Sequence, residues 1–473
     1  MPYRAWFSFN SSKTGPAKGR SNIDLMLQTS PTSVSQQPAI AQSSERPARV
    51  RSRRWGFLHN VALLIGGTAL AQGLSILSSP VITRLYTPAN LGYLALFTSF
   101  LNFVLVGTSL KYELGIVSAD SEREAAQLAF MSLLFCLPMS LLAGGLIWFL
   151  MHYSLLGFGG LPPITPLLII PAIAAGGAFL ALRYWFIRQE RFGFISNTLV
   201  MQHGARAVTQ MGLGALGPHA TGLFAGEIVG RFTGLGRMIK KYWPSLRAHV
   251  RDSSLAEYRG ILGKHRKLLV YSLGSSYLDT LAANLALPLL IQYFGSSAGG
   301  HFALVQRVLA VPLALIASSV ADAFHSRMAL HAREASKRMV PFFHRTTLLL
   351  LLAAGLPSLA LLIAGPRLFG LVFGAPWTLA GTLAVVCIPW FLTQFVVSPL
   401  SRLVFVLSGQ ESKLVYDIFV VISVVAVFVF GRRMGMSFYQ AVVALSVVNA
   451  IGYAVYYFIL LRIVIAYNRD HCS

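Results

Sequence analysis

The sequence predicts an all-α polytopic membrane protein, with about twelve transmembrane helices in two six-helix bundles related by a parallel repeat. Three observations carry this. Of 473 residues, 55% are hydrophobic and only 12% are charged, with a mean hydropathy of +0.63, whereas soluble domains carry about 25% charged residues. Apolar runs long enough to cross a bilayer, roughly 20 residues, recur from residue 57 to residue 466. A pattern of Gly and Pro near the first run returns 208 residues later.

Residues 1–56 precede the first run. They are rich in Ser, Pro, Gln and Arg, with only Asp24 and Glu45 acidic, and they lack the apolar core of a secretory signal. The composition has some look of an organelle transit peptide, but its polarity favours a disordered basic cytoplasmic tail. Met26 is an alternative start.

The candidate spans follow in order at about 57–83, 91–110, 126–151, 163–187, 195–216 and 218–238, then 267–294, 300–325, 341–364, 378–407, 412–431 and 437–466. The fifth and sixth are Gly-rich and carry Arg206, Glu227 and Arg231, which makes them the weakest. The basic segment 239–266 reads as a cytoplasmic linker between an N-terminal bundle (57–238) and a C-terminal bundle (267–466), with a short tail at 467–473. The loops on the side of the N-terminus carry Lys111 and Arg123, then Arg183, Arg188 and Arg191, then dense groups from Arg237 to Lys267 and from Arg327 to Arg345. The opposite loops carry little beyond Arg84, Arg367, Arg432 and Arg433. The positive-inside rule then puts both termini in the cytoplasm.

This distribution also disposes of the net charge of +23 as a nucleic-acid signal, because such domains gather Lys and Arg on one face of a soluble fold. Cys136, Cys387 and Cys472 form no paired spacing, so neither a disulfide framework nor a zinc site is expected. No phosphate-binding GxxxxGK[ST] loop occurs.

The repeat divides the chain. At an offset of 208, Gly66 matches Gly274, Pro80 matches Pro288 and Gly92 matches Gly300. Gly and Pro matches weigh more than Leu or Ala matches because they set backbone geometry. Six spans separate the copies, so both halves enter the membrane in the same direction, as in transporters that rock one bundle against the other.

Polar residues inside spans are costly, about 2.5–3.5 kcal/mol for a charge at mid-membrane, and usually face a bundle interior. The first span aligns Thr68, Gln72, Ser75, Ser79 and Thr83 on one face, with Arg84 at its end. The fifth places Gln202, Arg206 and Gln210 on one stripe beside His203, and the sixth spaces Glu227 and Arg231 four apart. The seventh holds Ser272, Ser276, Asp279, Thr280 and Asn284. The eighth holds Gln306, Arg307 and Asp322, and the tenth Gln394, Ser398, Ser401 and Arg402. Ser and Thr stripes also serve close helix packing, and Glu227 can simply neutralise Arg231. The functional reading takes Gln72, Arg84, Arg206, Gln210, Arg231, Asn284, Arg307 and Gln394 as the lining of a substrate cavity. Asp279 and Glu227 are its candidate ion-coupling carboxylates. Arginine suits phosphate recognition. No nucleophile, metal or cofactor is expected.

The stretches SPVITRLYTPANLGYLALF, LKYELGIVSADSEREAAQLA, RYWFIRQERFGFISN, LPLLIQYFGSSAGGHFALVQRVLAVPL, FGAPWTLAG and VSPLSRLVFVLSGQ run in order over nearly all of residues 57–466. In these the chain resembles the polysaccharide biosynthesis protein family, the O-antigen-type flippases of the multidrug/oligosaccharidyl-lipid/polysaccharide exporter superfamily. The resemblance implies a V-shaped vault and translocation of an undecaprenyl-diphosphate-linked oligosaccharide for surface polysaccharide synthesis. The lipid-linked saccharide and membrane lipids would be its partners, with a polymerase and glycosyltransferases of the same pathway. It supplies no strict site motif. The alternatives are a drug/cation antiporter of the same superfamily and a membrane-embedded polymerase. An antiporter would favour acidic residues in the cavity. A polymerase would present a large outward loop, which this chain lacks. A lipid II flippase would carry two further helices.

Overall fold

The computed structural model describes residues 48–251, 253–266, 272–334, 338–407 and 410–471. Its compact body runs from Arg53 onward, and of the preceding unit only the start of the first helix is described. Residues 1–47 of the expected tail, Cys472, and residues 267–271 at the start of the expected seventh span lie outside the described residues.

Every regular element among the described residues is helical. The first half contains α1 (Ala48–Leu85), α2 (Pro88–Leu105), α3 (Tyr112–Ser118), α4 (Glu122–His152), α5 (Thr165–Arg188), α6 (Phe192–Leu216) and α7 (Ala220–Phe232). Two helices, α8 (Leu235–His249) and α9 (Leu255–Lys264), occupy the linker. The rest is α10 (Leu273–Asn284), α11 (Ala286–Arg333), α12 (Met339–Phe373), α13 (Thr378–Val386), α14 (Ile388–Leu400), α15 (Leu403–Val406), α16 (Gln410–Arg433) and α17 (Phe438–His471).

Local chemistry sets these boundaries. Thr87 caps α2 by accepting from the Asn90 N–H, and Pro88 follows at the first helical position. Ser121 caps α4 in the same way through Glu124. The helix α1 begins at Ala48 rather than 57, because no Gly or Pro lies between Pro47 and Gly56 and Ala and Arg are good helix formers.

Two expected spans are broken. The sixth, read as 218–238, ends at Phe232, and Gly234 (φ +78) turns the chain into α8. The tenth, read as one helix over 378–407, bends by 55° between α13 and α14, beside Pro389, and ends in the short α15. Conversely, the seventh and eighth are joined: α11 is 48 residues long, interrupted only at Gly295 (φ 86, ψ 170). Among the described residues, eight helices are long and apolar enough to cross a membrane, or nine if the α13–α14 pair is one span. The polar α6 and the 13-residue α7 fall outside that count.

The outer surface is apolar. On α12, Leu352, Leu356, Leu359 and Ile363 form an exposed stripe at helical spacing, with Leu356 77% exposed. Such a surface belongs against acyl chains. On α1 the faces separate as expected: Ser75, Ser79 and Thr83 are buried, while Leu70, Leu77 and Val81 are exposed.

The repeat becomes physical where α2 crosses α11. A Cβ on Gly92 would lie 1.9 Å from the Ser296 carbonyl oxygen, and one on Gly300 1.8 Å from that of Pro88. Ser296 and Gly300 are the residues 208 positions after Pro88 and Gly92. The contact therefore maps onto itself under the offset, which is the signature of a two-fold relation. Only glycine permits this approach. At the helix ends the equivalent residues Arg84 and Gln292 also make contacts between segments, but with partners that are not themselves 208 apart. Arg84 of α1 donates to the Leu371 carbonyl of α12 (2.9 Å), and Gln292, 208 residues later, accepts from the N–H of Gly157, just past α4.

Candidate functional site

Beyond this crossing two cavities open side by side. The first, about 340 Å³, lies among α1, α2, α6, α7, α10 and α11. It is built on the stripe of α6. Gly230 of α7 packs so tightly on α6 that a Cβ there would lie 2.8 Å from both the Arg206 Cβ and the Gln202 carbonyl oxygen. That approach brings Arg206 to Glu227. Nη1 of Arg206 donates to Oε2 of Glu227 (3.1 Å), and Nη2 of Arg231 donates to Oε1 (2.9 Å). The Glu227 side chain is 4% exposed, while the Arg206 and Arg231 side chains are 23% and 22% exposed.

Nη2 of Arg206 also donates to Oγ of Ser75 (3.0 Å) and to Nδ1 of His203 (2.6 Å), which makes Nδ1 an acceptor. Arg307 approaches from α11 and donates to the Ser75 carbonyl (2.7 Å); among the described residues it has no carboxylate partner. Two guanidinium groups thus share one carboxylate, and a third, that of Arg307, faces the same space without one. The three guanidinium groups and the one carboxylate leave the cluster with a net positive charge, and arginine side chains of this kind suit anions.

The second cavity, about 490 Å³, lies among α10, α11, α14, α16 and α17. Asn284, Gln306 and Arg307 line both cavities. Its walls are aromatic, with Trp390, Phe391, Tyr416, Tyr453 and Tyr456, and Gln394 and Asn449 add amides. Its charges centre on Lys413, whose Nζ donates to Oδ1 of Asp279 (2.8 Å) and to Oδ2 of Asp417 (2.7 Å).

The sequence-derived residues distribute as follows. Gln72, Arg206, Gln210, Glu227, Arg231, Asn284 and Arg307 line the first cavity. Asn284, Arg307, Gln394 and Asp279 line the second. Arg84 lines neither: it sits exposed at the far end of α1, held by Leu371. Its neighbour Thr83 accepts from Trp377 Nε1 (2.9 Å), so this end of α1 serves the contact with the second half. Gln210 is 2% exposed and donates its amide to the Leu223 carbonyl (3.0 Å). Glu227 is enclosed by two arginines instead of one, and Asp279 is paired to an ammonium rather than free. Both changes have the same physical cause: a partner on another helix, which spacing along one helix cannot reveal. Lys413 and Asp417 were the residues missed. Their i,i+4 spacing was the available signal, passed over because both fall in the first turns of the span read as 412–431. Among the described residues no cluster of three or more His, Cys, Asp or Glu could hold a metal, and Cys136 and Cys387 are buried thiols.

No family model matches this chain, and no curated protein matches it. Solved structures do. The lipid II flippase MurJ in an inward closed conformation aligns with a TM-score of 0.64 at 12% identity, over 86% of this chain and 90% of that one. A MATE transporter in complex with MaD3S aligns at 0.56 and 14% identity, over 88% and 96%. A point mutant of the Vibrio cholerae MATE transporter VcmN aligns at 0.53 and 12% identity, over 89% and 98%. The chain has the fold of these membrane transporters. At such identities the likeness establishes the fold and leaves the substrate to be argued from the cavities.

Proposed function

We propose that this protein flips an undecaprenyl-diphosphate-linked oligosaccharide across a bacterial cytoplasmic membrane by alternating access, with both termini cytoplasmic and the two six-helix halves as the rocking units. The observation that carries the reading is the cluster of Arg206, Arg231 and Arg307 around Glu227. The lipid tail stays among acyl chains while the polar head passes through the cavities. Glu227 holds two of the arginines in place and offsets part of their charge when the cavity is empty, since unpaired charges in low dielectric are costly. A diphosphate entering then gains charge-assisted hydrogen bonds, each worth about 1.5–3 kcal/mol. The aromatic and amide walls of the second cavity suit sugar rings and hydroxyls. No bond is made or broken, so the chain acts as a carrier, and glycosyltransferases and a polymerase would act before and after it. Asp279 and Glu227 remain the proposed coupling carboxylates, each now with its cationic partner.

The likeness to MurJ, described as a lipid II flippase, supports a lipid-linked substrate. A second reading, drug/cation antiport, draws on the aromatic walls and two carboxylates of the second cavity and on the likeness to MATE transporters. Vesicles reconstituted with the full chain separate the two. Flippase activity predicts protection of a fluorescent diphosphate-linked saccharide from an external reagent to decay with time. Cation-coupled efflux of a lipophilic dye without saccharide movement would replace the flippase reading with the antiporter one.

A further inference from the structure

The segment 239–266, read from the sequence as a cytoplasmic linker, is largely helical. Ser254 caps α9, and that helix is clamped to the start of α4: Lys264 Nζ reaches Asp120 and Glu124 (both 2.7 Å), and Arg123 meets Glu257 (3.0 Å). Helix α8 packs through Leu235, Met238 and Tyr242, all buried, in one cluster with Ala125, Ala126 and Ala129 at the start of α4 and Leu182, Trp185 and Phe186 at the end of α5. The Tyr242 hydroxyl donates to the Ala126 carbonyl (2.7 Å). The whole buried stripe thus rests on helix ends belonging to one side of the bundle, so α8 lies across those ends rather than continuing α7 through the membrane.

Away from that stripe, α8 is largely uncovered by the described residues. Ile239 and Trp243, 40% and 46% exposed and four residues apart, continue from exposed Phe232 of α7. Around them stand Arg237, Lys240, Lys241 and Arg247, and residues 235–251 contain no acidic residue. None of the four forms an ion pair among the described residues. Arg237 contacts the Met201 sulfur, Lys241 lies 4.5 Å from the Phe194 ring centroid and Arg247 lies 5.2 Å from that of Trp243. An apolar strip with an indole, bordered by cations, matches the boundary between acyl chains and anionic headgroups.

We infer that α8 is an interfacial helix that binds anionic phospholipid, inserting Ile239 and Trp243 below the headgroups while Arg237, Lys240, Lys241 and Arg247 hold the phosphates. The occupant is a lipid surface, because exposed Phe232, Ile239 and Trp243 follow one another along α7 and α8 and the flanking charges carry one sign. The inference does not rest on the flippase reading.

The test uses the full chain with Cys472→Ser and a spin label at Ile239→Cys, in nanodiscs of phosphatidylcholine alone or mixed with phosphatidylglycerol. Collision with oxygen and with a water-soluble nickel chelate reports depth. The label should lie below the phosphate plane in the mixed discs and shallower in phosphatidylcholine alone. Arg237→Gln, Lys240→Gln, Lys241→Gln and Arg247→Gln together should abolish the difference, each cation contributing roughly fivefold to partitioning. A label that contacts the nickel chelate freely in both lipids overturns the inference. So does a label equally deep in both, which means that anionic charge is not what holds the helix. The lipid comparison needs no charge substitution, so it decides even if the fourfold variant fails to fold.

Discussion

The two cavities stand back to back and share Arg307, Gln306 and Asn284, yet they handle charge in opposite ways. In the first, three cations surround one carboxylate. In the second, two carboxylates surround the single ammonium of Lys413. The first leaves positive charge for a ligand to satisfy. The second supplies its own cation, on a flexible stem, between α10 and α16. The difference teaches that charge count alone does not mark a binding site. What matters is which sign remains unmatched once cross-helix partners are assigned, and whether the unmatched group faces open space.

Four expectations probe that contrast, from the largest effect to the smallest. Glu227→Gln strips the common counter-charge from Arg206 and Arg231. Leaving buried charges unpaired costs about 3–5 kcal/mol, so the variant should show a large fall in melting temperature in detergent. An unchanged melting temperature would mean that water already solvates the arginines. Arg307→Gln removes the cation without a carboxylate partner, so the fold should persist while saccharide flipping falls roughly tenfold to a hundredfold, the worth of one charge-assisted hydrogen bond. Lys413→Ala leaves Asp279 and Asp417 facing each other; because the ammonium is partly exposed, the loss should be about 1 kcal/mol or less. Asp279→Asn in the same chain should restore the melting temperature, and failure to do so would assign Lys413 a role outside the pair. Lys264→Gln should change flipping least, since that clamp lies far from both cavities. The Asp120 and Glu124 carboxylates raise the Lys264 pKa above its ordinary value. The clamp's contribution is therefore complete below the ordinary lysine range, about 10.4, and is lost only as pH climbs through the raised value. Hydrogen exchange in α9 should accordingly show no loosening around neutral pH.

Much of this was legible in the sequence. Apolar runs located most of the helices, because lipid leaves the chain little choice but to satisfy its backbone internally. The 208-residue repeat was readable because Gly92 and Gly300 are held by backbone contact, where no other residue fits. Helical spacing put Gln72, Arg206, Glu227, Arg231 and Arg307 toward one interior, and they do line one cavity. What stayed hidden depends on distance in space. Arg206 and Glu227 meet across two helices, and Lys413 meets Asp279 across 134 positions. Arg84 looked like a cavity residue from its place at the end of a polar stripe. That stripe ends against the second half, and Arg84 completes the contact. The breaks at Gly234 and Pro389 were visible as residue types, but apolar flanks masked them as continuous spans.

The most direct test of the account measures binding of undecaprenyl diphosphate without sugar to the purified full chain, comparing the native protein with the Arg206→Gln, Arg307→Gln double variant and with Gln394→Ala. The account predicts saturable binding by the native protein, retained by Gln394→Ala and lost in the double variant while its melting transition survives. Equal binding by the native chain and the folded double variant would contradict it, since the diphosphate would then be held somewhere other than between these guanidinium groups.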